Sequence, residues 1–256
     1  MNGQAREALS LNASVFGRDG YRVVKGLADA DFCGRVRARV EAALEPLLGP
    51  AEFEADVGYP GAPAGLESAG GRTPRRLLLA AARFPGLRNW ATSARMRAEL
   101  AAFLEGDPVL SQCHHNCVMT KYPGYSSATL WHQDIRYWSF DRPELVSVWL
   151  ALGGETRRNG ALKIIPGSHR LELDRGRFDR DLFLRPGLAE NKALIRQARD
   201  VVLEAGDVLF FHCRAIHAAG KNLSDEVKLS CVFTYHGADN RPIPGTRSDR
   251  YPGLNL

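Results

Sequence analysis

The chain has 256 residues, of which 45% are hydrophobic, 25% charged and 9% aromatic, a balance that excludes disordered, collagenous and membrane-spanning classes and suits one large domain or two small ones. Its 34 Lys and Arg against 29 Asp and Glu give a net charge of +5 with no run of five or six like charges, so a nucleic-acid tail is not expected while an anionic ligand is allowed. No apolar run reaches the roughly 18 residues of a membrane span, Met1-Asn2-Gly3-Gln4-Ala5-Arg6-Glu7 lacks the apolar core of a signal peptide, and the cysteines (Cys33, Cys113, Cys117, Cys213, Cys231) are odd in number, so a cytoplasmic protein with reduced thiols is expected.

Residues 17–26 (GRDGYRVVKG) predict a turn and a short strand. From Asp29 the pattern turns helical. Asp29 or Asp31 can cap, and Phe32, Val36, Val40, Leu44 and Leu47 recur at helical spacing until Gly49-Pro50. Residues 54–74 are rich in Gly, Pro and Ala and predict one long loop, a mobile lid or rim for a site. A second helix over about 93–105 places Met96, Leu100 and Leu104 on one face and ends at Gly106-Asp107-Pro108. Beyond it come short strand-like segments at 109–122, 128–134, 145–152, 161–165, 200–204, 207–213 and 227–235, with the sharpest turns at Asn159-Gly160 and Ala205-Gly206-Asp207. This pattern predicts a mainly β fold, sandwich or barrel, with helices packed outside it. With no repeat and no clean boundary, residues 1–256 read as a single domain, with a helical part over about 1–107 and a β core over about 108–240.

The most informative run is Trp131-His132-Gln133-Asp134, because side chains two apart on a strand share a face. His132 and Asp134 together suit a divalent transition metal, and His217, after the strand ending at His212, is the candidate third ligand. His212 competes for that role but reads better as a hydrogen-bonded strand-end residue. Two His and one Asp leave one face of an octahedron open, the arrangement of non-haem Fe(II) oxygenases. Lys228, eleven residues after His217 (228 − 217), is a candidate inward-facing charge in need of an anion, or else a solvated strand end. Cys113-His114-His115-Asn116-Cys117 lacks a second ligand pair, so no structural zinc is expected there, and simple alternation puts both cysteines on one face with His115. Asn222-Leu223-Ser224 reads as a chance glycosylation sequon, and His169 in Pro166-Gly167-Ser168-His169 as structural or at the rim.

Several motifs in order, DGYRVVKGL before a helix, KYPG, WHQD followed by Tyr137-Trp138, VWLAL, NGALKIIPGSHR, AGDVLFFH and IHAAGKNLSDEVKLSCVFTYH, give the chain a resemblance to the phytanoyl-CoA dioxygenase (PhyH) family of Fe(II)- and 2-oxoglutarate-dependent oxygenases. The resemblance implies a double-stranded β-helix (jelly roll, cupin-like) with His132, Asp134 and His217 on Fe(II), 2-oxoglutarate as cosubstrate and O2 as oxidant. Lys228 stands where the family usually has an Arg that holds the far carboxylate of 2-oxoglutarate; Lys keeps the charge and loses the bidentate fork. Trp149 and Met119 would line the 2-oxoglutarate pocket, with Arg75 or Arg76 as a further charge. The implied activity is hydroxylation of a small organic molecule with release of succinate and CO2. Asp134 favours that outcome, since related halogenases lack the carboxylate. A nucleic-acid demethylase of the same class suits the basic charge but lacks a basic stripe interleaved with aromatics. A non-enzymatic, metal-binding cupin-like protein is the alternative from another class. Tyr122, Tyr125, Tyr137 and Trp138 suit an apolar or cationic substrate and the many arginines an acid, so the residues leave the substrate open.

Overall fold

Two antiparallel sheets organise the computed structural model, which describes residue 10 and residues 13–256. The strands are β1 (Tyr21–Val24), β2 (Ala51–Phe53), β3 (Pro74–Leu78), β4 (Pro108–Lys121), β5 (Thr129–His132), β6 (Leu145–Ala151), β7 (Leu162–Ile164), β8 (Arg199–Asp200), β9 (Val208–His212), β10 (His217–Ala219), β11 (Lys228–Gly237) and β12 (Leu254–Asn255). The large sheet runs β1-β9-β6-β11-β4-β3-β2, with β12 also on β4, and the small one runs β5-β10-β7-β8.

Alternation along the central strands explains the two layers of core. On β11, Leu229, Cys231, Phe233 and Tyr235 face one way and join Val146, Val148 and Leu150 of β6 and Val208 and Phe210 of β9. Val232 faces the other way and meets Trp149, Leu209 and Phe211, together with Leu162, Ile164 and Ala219 of the small sheet. The first cluster is covered by helices and the second lies between the sheets.

The covering helices come from the first part of the chain. Helix α1 (Ala30–Leu44) begins at Asp29, whose side chain accepts from Phe32 N at 2.7 Å, and buries Cys33, Val36, Val40 and Ala43. It docks on the Gly206 turn: Ala28 N donates to Gly206 O at 3.1 Å, and a Cβ on Gly206, at φ +89, would lie 2.1 Å from Ala28 O. Helices α2 (Ala80–Arg83), α3 (Pro85–Ala91) and α4 (Ala94–Leu100) follow β3. Helix α4 is capped by Ser93 and stops short of the expected residue 105.

The stretch expected to be one loop, 54–74, differs. It opens with a 3-10 turn at Glu54–Asp56 and ends in β3, which pairs with β4 through Arg76 opposite Met119. Glu54 is buried and accepts from Ser127 N at 3.1 Å and Ser127 Oγ at 2.6 Å. The first part of the chain therefore supplies three strands of the large sheet as well as helices. The expected strand at 200–204 is paired only at Arg199–Asp200, with Leu203 bridging to Glu155. Strands β2, β10 and β12, and helix α5 (Ala189–Ile195), were not anticipated. Among the described residues no helix is long and apolar enough to cross a membrane.

Candidate metal centre and its cavity

His132 ends β5, and the start of β10 lays His217 directly opposite it. Gln133 keeps an extended backbone (φ −114°, ψ 137°), so Asp134 still turns to the same side although it opens a 3-10 turn rather than continuing the strand. His132 Nε2 and His217 Nε2 each lie 3.6 Å from Asp134 Oδ1. The three side chains are buried, and one ligand atom from each falls within 4.8 Å of the others. Donors about 2.1 Å from one ion in adjacent octahedral positions sit about 3 Å apart, so small side-chain shifts close this group on a metal.

The outer atoms orient the inner ones. His132 Nδ1 pairs with Leu130 O at 2.8 Å and His217 Nδ1 with Ala215 O at 3.0 Å; a carbonyl can only accept, so each ring carries its proton on Nδ1 and presents Nε2 as a lone pair. Burial pushes His217 down to about 4, which keeps it neutral as a ligand must be. Burial opposes the Asp134 charge, yet His115, His217 and His132 around it hold its carboxyl well below the usual range. Ser147 on β6 donates to Asp134 Oδ2 at 2.8 Å, tying the group to the large sheet.

A third imidazole stands beside this carboxylate. His115 Nδ1 is 3.8 Å from Asp134 Oδ2, buried and without a hydrogen-bond partner. It is there because β4 slips against β11: Asn116 faces Phe233 while Ser111 faces Thr234, so residues 112–115 bulge out of the ladder. The bulge corrects the expectation that Cys113 and Cys117 share a face with His115. Cys117 packs beside Trp149 between the sheets, whereas Cys113 Sγ accepts from Tyr251 N at 3.2 Å. All five cysteines are buried and unpaired.

From the three side chains a cavity runs between the sheets. Trp149, Met119 and Phe211 line it, and Lys228 and Lys121, opposite each other on β11 and β4, share its cationic part with Arg75 and Arg76. Lys228 Nζ donates to Glu155 Oε2 at 2.9 Å, and Trp149 Nε1 to Glu155 Oε1 at 2.8 Å. Arg75 is bound to Glu54 at 3.2 Å and to Ser127 Oγ at 2.7 Å, and Arg76 to Glu52 at 3.3 Å.

The sequence profile of the phytanoyl-CoA dioxygenase (PhyH) family matches residues 16–230. The chain belongs to this family. Ectoine dioxygenase of Sphingopyxis alaskensis is 28% identical to it over 246 residues, 90% of this chain and 76% of that protein. Peroxisomal phytanoyl-CoA dioxygenase of Homo sapiens is 30% identical over 128 residues, 46% of this chain and 37% of that one. Among solved structures, EctD of S. alaskensis with 2-oxoglutarate and 5-hydroxyectoine matches with a TM-score of 0.76 and 21% identity over 95% of this chain and 84% of that chain. The epimerase SnoN in complex with Fe3+, alpha ketoglutarate and nogalamycin RO matches with a TM-score of 0.72 and 24% identity over 98% and 96%. The paired sheets are accordingly a jelly roll, and the protein is an oxidoreductase of the 2-oxoglutarate-dependent dioxygenase class, which uses Fe(II), 2-oxoglutarate and O2.

Within the PhyH fold, His132, Asp134 and His217 come together, and Lys228, Trp149 and Met119 all reach the cavity wall. Arg75 and Arg76 reach it as well. Of the aromatics named from the sequence, Tyr137 lines it, Trp138 packs behind His115, and Tyr125 is exposed. His212 instead accepts from Arg214 N at 3.1 Å. His115, Lys121, Tyr59 and Glu155 join the site without a sequence signal of that role: Lys121 lies in the KYPG run and His115 in the Cys113–Cys117 run, and nothing local marks Tyr59 or Glu155. Asn222 of the sequon is buried, its amide donating to Lys121 O at 2.8 Å and Glu226 O at 2.7 Å.

Proposed function

We propose that this protein hydroxylates a small organic molecule, holding Fe(II) with His132, Asp134 and His217 and placing 2-oxoglutarate between that ion and the lysine-lined part of the cavity. The observation that carries the reading is the convergence of two Nε2 lone pairs and one carboxylate oxygen in the wall of a cavity that also contains cationic side chains. That donor set fits Fe(II) and leaves half an octahedron for other ligands. When bound, the ion couples activation of O2 to oxidative decarboxylation of 2-oxoglutarate, giving succinate and CO2. The chain's own residues do the positioning. Leu130 O and Ala215 O hold the imidazoles in the ligating tautomer, and Ser147 holds Asp134. Trp149, Met119 and Phe211 supply apolar walls that orient the cosubstrate and exclude water. Asp134 would give the ion a carboxylate that related halogenases lack, which supports hydroxylation over halogenation.

Five buried, unpaired cysteines support a reducing, cytoplasmic setting. Pairing of β1 with β9 and of β3 with β4 supports one domain across the described residues. The test is succinate formation from 2-oxoglutarate by the Fe(II)-loaded protein across a panel of small acids, amines and apolar molecules. Turnover above background with one of them, lost in His217→Ala, is the expected result. Turnover that survives in His217→Ala would sink the assignment.

A further inference from the structure

Lys121 and Lys228 are register partners on β4 and β11, both buried and both in the cavity wall, yet their charges are met differently. Lys228 Nζ donates to Glu155 Oε2 at 2.9 Å and to Ser230 Oγ at 3.2 Å. Glu155 is held by two further donors on its other oxygen, Trp149 Nε1 at 2.8 Å and Ser230 Oγ at 2.6 Å. The two charged side chains are 4% and 1% exposed, so the pair is a neutral unit, and drawing Lys228 towards another anion would strand a buried carboxylate.

Lys121 has no such partner. Its Nζ donates to two backbone carbonyls, Ser127 O at 3.0 Å and Gly220 O at 2.5 Å, which leaves the third N–H of the ammonium for a ligand. The charged groups around it are Lys228, Arg75, Glu54 and Glu155, and both carboxylates are already bound, Glu54 to Arg75 and Glu155 to Lys228. Neither carboxylate is therefore free to pair with Lys121. Burial, with Lys228 and Arg75 beside it, pushes the Lys121 ammonium down to about 7, the response of a buried cation without a counter-ion. The stem is fixed by the turn at Gly160 (φ +79), where a Cβ would lie 2.6 Å from Gly220 O and 3.0 Å from Lys121 Cδ.

We propose that Lys121, rather than Lys228, supplies the charge that receives the distal carboxylate of 2-oxoglutarate, with the Lys228–Glu155 pair as a neutral wall beside it. The proposal rests on the cosubstrate reading above.

Calorimetric titration of the Zn(II)-loaded protein with 2-oxoglutarate and with 2-oxobutanoate, which has the same 2-oxo acid head and no distal carboxylate, tests it without turnover. Lys121→Met is expected to raise the Kd of 2-oxoglutarate about thirtyfold, the effect of losing one charge-assisted contact, and to leave 2-oxobutanoate unchanged. Glu155→Gln, which keeps the shape and releases the charge of Lys228, is expected to tighten 2-oxoglutarate, and the double variant to recover much of the affinity that Lys121→Met loses. Unchanged 2-oxoglutarate binding in Lys121→Met, or equal weakening of both acids, overturns the proposal. Should Lys121→Met fail to fold, Lys121→Gln, which keeps a donor for the two carbonyls and loses the charge, is titrated in its place and the same outcomes decide. If the wild-type protein binds neither acid, the cosubstrate reading itself falls and the proposal with it.

Discussion

His132 and His217 stand directly opposite each other on neighbouring antiparallel strands, and each pairs its Nδ1 with the carbonyl two residues before it, Leu130 O and Ala215 O. One backbone device is thus used twice, and it points both Nε2 atoms at the same carboxylate.

Removing either ring should abolish tight metal binding without unfolding the sheet. His217→Ala is expected to weaken Fe(II) or Co(II) binding by about a hundredfold or more, beyond the ten- to hundredfold that loss of a supporting partner costs. Anaerobic titration of the Co(II) d–d spectrum measures it. A variant with wild-type affinity would remove His217 from the ligand set.

Ser147→Ala tests the support of Asp134 from the facing sheet. Its hydroxyl donates to Asp134 Oδ2 at 2.8 Å, and both groups are buried. Loss of that donor is expected to lower metal affinity about tenfold to a hundredfold while thermal stability without metal changes little. Equal losses of affinity and stability would make Ser147 a packing residue only.

The turn at Asp207 should make stability depend on acid pH. Its carboxylate accepts from Lys25 Nζ at 2.7 Å, Gly26 N at 3.0 Å and Glu204 N at 2.8 Å. Burial works against the charge, but these donors hold the carboxyl below the ordinary aspartate value. A folded pKa below the unfolded one means that the stabilisation is complete above the unfolded value of about 3.9 and is lost as pH falls through the folded value. Asp207→Asn should therefore cost about 1–3 kcal/mol in urea unfolding near neutral pH. Its deficit against wild type should shrink below about pH 4; a constant deficit would show that the charge contributes nothing.

The segment between Asp56 and Pro74 forms part of the cavity's rim, since Tyr59 lines the cavity and its hydroxyl is 3.2 Å from that of Tyr137. Trypsin should cut after exposed Arg72 early, and Zn(II) with 2-oxoglutarate should slow that cut several-fold. Identical cleavage with and without them would separate this segment from the ligand site.

Much of the molecule was legible because its signals are local. The helix from Asp29 follows a 3.6-residue pattern and a cap, and the longest strands follow alternation. His132 and Asp134 are two residues apart, so backbone geometry alone puts them on one side. The short strands β2, β10 and β12 were missed because two or three residues carry too little pattern to be told from a turn.

The sequence by itself determined which residue types are available and where they sit along each strand: the His-x-Asp pair, His217 after its bend, and Lys228 at the head of β11. Only the tertiary structure decided which charges meet. Glu155 precedes a turn, a place where a carboxylate is normally solvated, and it is buried against Lys228 because residues 73 apart in the chain are folded together. Lys121 is left as the uncompensated cation, and His115 is brought to Asp134, by register and by a bulge in β4. These are pairings across strands, and no local period records a pairing with a distant partner.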